Sequence, residues 1–84
     1  MELTHIQGAI TYLENNKDEY AQVMLDNGLM YSTKHMKLLD DVVYVTTDHI
    51  TGKDVAIVPA MTINHIVIKN SNIDKVMGFD KINE

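Results

Sequence analysis

The chain contains no cysteine, no arginine and a single proline among 84 residues. Without cysteine, neither a disulfide framework nor a thiolate metal site can staple a small core, so stability has to come from packing. A domain of this length buries roughly 60–65% of the surface its unfolded chain exposes, which sets a stability of about 4–12 kcal/mol, a margin that pairing with another subunit would raise. Arginine is the side chain that grips phosphates and guanine edges in a bidentate fashion, and here all seven basic residues are lysine, set against twelve acidic ones for a net charge of −5. Its absence removes the strongest single tool for nucleic-acid recognition. No apolar run approaches the ~20 residues of a membrane span. The opening Met1-Glu2-Leu3-Thr4-His5 has no basic region ahead of an apolar stretch, so no signal peptide is read and a cytoplasmic location is expected.

What the chain does have is an alternation of periods. Thr4-His5-Ile6-Gln7 has the form of a capping box, and Ile6, Ala9, Ile10 and Leu13 follow as one apolar stripe, predicting a helix that Glu14, Asn15 and Asn16 end. Gly8 inside it costs about 1 kcal/mol relative to alanine. From Tyr20 the period becomes two, with Ala21, Val23 and Leu25 on one face and Tyr20, Gln22 and Met24 on the other. Asn27-Gly28 then predicts a two-residue type I′ hairpin turn, since both residues tolerate positive φ. The return arm carries Leu29, Tyr31 and Thr33 opposite Met30, Ser32 and Lys34, so that Met24 and Met30 would pair across the turn.

Val42-Val43-Tyr44-Val45-Thr46-Thr47 reads as a third, well-buried strand, and residues 48–53 as a turn. Residues 54–58 form a fourth strand that is apolar on both sides, with both faces expected to be covered. Pro59 ends it or marks an edge, because proline cannot donate a ladder hydrogen bond. A short helical turn through residues 60–63 leads to a fifth strand in which Ile66 and Ile68 oppose His65, Val67 and Lys69. The expected fold is mainly β: an N-terminal helix followed by a small five-stranded, strongly bent antiparallel sheet or open barrel over residues 1–70. Residues 71–84 are expected to form a tail in which Ile73, Val76 and Met77 make one helical turn closed by Gly78.

Leu25-Asp26-Asn27-Gly28-Leu29-Met30-Tyr31-Ser32-Thr33 resembles the Leu-x-x-Gly-x-x-aromatic-x-Gly signature of the Sm-like family of small open barrels, departing only where Thr33 replaces the last glycine. The resemblance spans roughly residues 4–69, and Val58, Ile63 and Ile66 match the apolar spacing of its Hfq-type members. It implies a barrel scaffold and rings whose subunits meet through the last two strands. The RNA-contacting positions do not follow: Lys37, Leu38 and Leu39 stand where Asp and Asn are looked for, and Pro59-Ala60-Met61-Thr62 carries no cation.

Chemistry-bearing constellations are few. His5, His35, His49 and His65 show no i, i+4 helical or i, i+2 strand spacing, so no metal site is expected, and no cofactor either. Ser32 and Ser71 lack a nucleophile-elbow context, four scattered glycines make no phosphate loop, and Asp40-Asp41 reads as a solvated pair. An enzyme is therefore not expected. The one local basic cluster runs through Lys34, His35 and Lys37, with Tyr31 and Tyr44 as stacking faces, and these five form the candidate ligand-binding set. Val55, Ala56, Ile57, Val58, Ile66 and Ile68 form the candidate oligomer edge. The leading expectation is a non-enzymatic protein-interaction module that self-associates through its sheet edges and binds a protein partner. The alternatives are an Sm-like RNA-binding ring and a small acidic inhibitor.

Overall fold

The structure, a computed structural model, describes residues 1–70; the expected helical turn and tail beyond them lie outside the described residues. Helix α1 (Leu3–Asn15) is followed by strands β1 (Glu19–Leu25), β2 (Met30–Thr33), β3 (His35–Leu39), β4 (Val42–His49) and β5 (Gly52–Pro59), a 3₁₀ turn (Ala60–Thr62) and β6 (Ile63–Asn70). The strands form two antiparallel three-stranded sheets, in the orders β2-β1-β6 and β3-β4-β5.

The expected count of five strands and the expected barrel are both corrected. Six strands are present among the described residues: β2 pairs with β1, from Ala21↔Thr33 to Met24↔Met30, and beyond Lys34, the expected end of the return arm, His35–Leu39 forms a further strand that pairs with β4, from His35↔Thr46 to Leu39↔Val42. The two sheets are not closed into a barrel, since β5 and β6 end them without pairing to each other.

The corner between the sheets is held by a buried hydroxyl. Thr33, 4% exposed, places its Oγ1 2.6 Å from the Thr46 carbonyl and 2.8 Å from that of His35, and accepts the His35 N–H at 3.0 Å. One hydroxyl proton serves two carbonyls while the lone pairs accept the amide. The 3₁₀ turn provides a second tie. Ala60 N–H donates to the Asp41 carbonyl in the β3–β4 turn at 2.8 Å, and Asp26 N–H in the β1–β2 loop donates to the Thr62 carbonyl at 2.9 Å. The Met1 ammonium donates to the carbonyls of Ala60 and Ile63, at 3.2 and 2.9 Å.

Between the sheets and α1 lies one core. Ile6, Ile10 and Leu13 of the helix are buried with Ala21, Val23 and Leu25 of β1, Val43 and Val45 of β4, Met36, Val58, Ala60 and Ile63, as the apolar periods predict. The helix begins earlier than its capping box suggests. Glu2 occupies the N-cap position, its carbonyl accepting the N–H groups of His5 and Ile6 at 3.1 Å each, and no side chain caps the first turn. At the other end Asn15 and Asn16 donate their amides to the Thr11 and Tyr12 carbonyls, satisfying groups that a helix end leaves open.

The first hairpin differs from the expected two-residue turn. Gly28 N–H donates to the Leu25 carbonyl and Leu25 N–H to the Leu29 carbonyl, so the loop has three residues, Asp26 to Gly28. Among them only Gly28 has positive φ, at +90°, while the Asn27 side chain accepts the Leu29 N–H at 3.0 Å. A tight turn ending in one left-handed glycine needs no second left-handed residue. The tight two-residue connections fall elsewhere. Leu39↔Val42 leaves only Asp40 and Asp41 between strands, with Asp40 at φ +55°, and His49↔Gly52 shortens the expected 48–53 turn to Ile50 and Thr51.

Two glycines should respond to alanine in opposite directions. A Cβ at Gly8 or Gly28 meets nothing within 4 Å, so only backbone preference decides. In urea unfolding, Gly8→Ala is expected to stabilise by about 0.5–1 kcal/mol and Gly28→Ala to destabilise by about 1–2 kcal/mol. Thr33→Val keeps the corner's volume and removes its hydroxyl, and should cost about 1–3 kcal/mol, with Thr33→Ser costing less.

Candidate functional site

Strand register sorts the candidate residues into faces. Across the β3-β4-β5 sheet, His35, Thr46 and Val55 form one outward row, Lys37, Tyr44 and Ile57 the next, and Leu39, Val42 and Pro59 a third. The intervening rows, Met36-Val45-Ala56 and Leu38-Val43-Val58, face the core. His35, Lys37 and Tyr44 therefore share one surface, with Lys37 directly opposite Tyr44.

Tyr31 and Lys34 do not join them. Tyr31 lies opposite the buried Val23 and packs half-buried against the core, beside a cleft of about 340 Å³ bounded by Asp26, Asn27, Ile57, Pro59 and Thr62. Lys34 stands at the corner between β2 and β3, where its ammonium donates to the Lys17 carbonyl at 3.4 Å. The corner opens onto a cleft of about 240 Å³ with a floor of Ile10, Leu13 and Met36 and a rim of Glu14, Glu19, Lys17 and Lys34, so its charges are mixed. The expected cluster of cations between two aromatic faces is thus divided. What survives of it is His35, Lys37 and Tyr44 on one face, with Lys37 and Tyr44 as a direct cross-strand pair.

The candidate edge residues fall on two edge strands. β5 and β6 each have a single strand neighbour, β4 and β1 respectively. Ile66 and Ile68 are half-buried against the core. On β5, Val58 is buried and Ala56 half-buried, whereas Val55 and Ile57 are 56% and 64% exposed. The expectation that both faces of this strand are covered is corrected: its outward face is bare. Leu39, 53% exposed in the third row, extends this apolar surface across the sheet. The sequence alone does not single it out, because only the register places Leu39, across Val42, in the same outward row as Pro59.

Tyr12 donates its hydroxyl to Glu19 Oε1 at 3.1 Å, and this bond, with slight desolvation and the Glu19 charge, raises the phenol above its ordinary pKa. It ties the helix to the start of β1. Among the described residues no three His, Asp or Glu side chains converge as a metal site, and no helix is long and apolar enough to cross a membrane. His49 and His65 lie in strands of different sheets. No protein-family model, no curated protein and no solved structure matches this chain.

Adjacent residues of β5 should respond very differently to one charge. Ile57→Lys places its ammonium in water and is expected to change the stability of the monomer by less than about 0.5 kcal/mol. Val58→Lys buries the charge without a partner and should cost about 3 kcal/mol or more, read from chemical denaturation of both variants.

Proposed function

We propose that this protein is a non-enzymatic interaction module that self-associates through the edges of its two sheets. The observation that carries the reading is β5: an eight-residue edge strand whose exposed Val55 and Ile57 adjoin one side of the molecule, with a second eight-residue edge, β6, ending the other sheet. Natural edge strands are blunted by charge, shortness or cover, and an uncovered apolar edge is a template for another chain. Pro59 sits at the end of β5 and limits only its last position.

The two edges belong to different strands, so β5 of one copy meeting β6 of the next is a heterologous contact, which closes into a ring when the rotation between copies allows. The same layout supports the Sm-like resemblance. With β2 and β3 taken as one strand bent at Lys34, the order becomes β6-β1-β2/β3-β4-β5 behind an N-terminal helix. RNA binding has less to draw on, since the candidate cations and aromatics are divided and only His35, Lys37 and Tyr44 share a face.

Light scattering coupled to size exclusion at tens of micromolar tests the proposal. The parent chain should elute as a multiple of the 9.5 kDa protomer, and Val55→Lys/Ile57→Lys should elute as a folded monomer with an unchanged circular dichroism spectrum. A monomeric parent overturns self-association. Retention of uridine-rich or adenine-rich RNA on filters at moderate salt would favour the ring that binds RNA over the protein-only module.

A further inference from the structure

We infer that the outer face of the β2-β1-β6 sheet carries a binding site for a soft monovalent metal ion, of the Cu(I) or Ag(I) class, formed by Met24, Met30 and His65. The three are a single row across three strands: Met24 is opposite Met30 on one side and opposite His65 on the other. Cross-strand partners share a face, and neighbouring strands run about 4.8 Å apart, so Met24 stands midway between the other two ligands. Leu25 N–H bonds the Leu29 carbonyl, which makes the next pair, Met24 and Met30, the closer, non-hydrogen-bonded kind, with side chains nearest each other.

This row is open to solvent. Met30 is 47% exposed, His65 exposed and Met24 half-buried, whereas Met36 is taken up by the core. Two thioethers beside an imidazole form a donor set that selects Cu(I) over the harder divalent ions, and unbranched methionine side chains can turn their sulfurs toward a common point.

The strongest support is the way His65 is held. Register slips between Met24 and Leu25, from His65 to Ile63, so Asn64 is an extra residue in β6. Such a bulge redirects side chains. The Asn64 amide donates to Asp26 Oδ1 at 3.2 Å, and because a carboxylate only accepts, Asn64 Nδ2 faces Asp26 and Oδ1 faces the imidazole. That oxygen lies 2.7 Å from His65 Nδ1. Nδ1 is therefore the donor, and in the neutral tautomer this leaves the lone pair on Nε2. A metal-binding histidine is ordinarily fixed through its other nitrogen in this way. The chain Asp26–Asn64–His65 sets a tautomer and an orientation that a solvated surface histidine does not need.

Ag(I), a redox-inert probe, tests the site in the full chain. Native mass spectrometry should find one Ag(I) per chain, and methyl-resolved NMR should show the Met24 and Met30 methyls and the His65 ring shifting while Met36 stays in place. Met24→Leu/Met30→Leu, which conserves volume on a solvent-facing row, should abolish this binding with the fold intact. Asn64→Ala removes no ligand, only the partner of His65 Nδ1, and should weaken it by about 10–100-fold. The site is overturned if Ag(I) leaves the Met24 and Met30 methyls unmoved, or if the double leucine variant binds it as tightly as the parent.

Discussion

The hydroxyl of Thr33 is the interaction on which the arrangement of the two sheets depends. A strand that leaves one sheet and enters another must turn sharply, and the backbone groups at the turn lose their regular ladder partners. Thr33 meets that need from within the chain by bonding the His35 amide and the carbonyls of His35 and Thr46. Thr33 is itself buried, so its hydroxyl finds its partners within the chain. The separation of β2 from β3, and with it the division of the candidate binding residues between a corner and a face, follows from this joint.

Much of the fold is legible as period. Ile6, Ile10 and Leu13 at helical spacing, and Ala21, Val23 and Leu25 at alternating spacing, are buried as their patterns require, and Pro59 lies at an edge because it has no amide to donate. Turn chemistry was less legible. Asn27-Gly28 has the composition of a type I′ turn, yet the side chain of Asn27 bonds the Leu29 amide and Gly28 alone takes positive φ. A dipeptide states which conformations are tolerated, and the strands on either side choose among them. Thr4 likewise has a capping residue's chemistry but lies inside a helix whose first carbonyl acceptor is Glu2.

The site was legible only in parts, for a related reason. Alternation identifies which residues of one strand share a face, but not which faces of different strands adjoin. Lys37 and Tyr44 meet because β3 and β4 pair in that register, while Tyr31, equally aromatic, turns toward the core beside Val23. The apolar run in β5 suggested cover on both sides. Cover depends on what packs above and below the sheet, and the core lies against only one face of β5, the one that carries Ala56 and Val58.

The pairing of β1 with β6 bears on how the molecule is assembled. Strands β3, β4 and β5 are joined to one another by short connections, so their sheet can form from neighbouring hairpins as the chain emerges. β1 occupies the centre of the other sheet, and one of its two partners is the last strand described. Until that strand is synthesised, β1 has hydrogen-bonding groups along one side with no strand to receive them, and its long-range closure is of the kind that slows folding. A chain that has not yet docked β6 therefore presents an open strand edge, that of β1, which the finished fold closes.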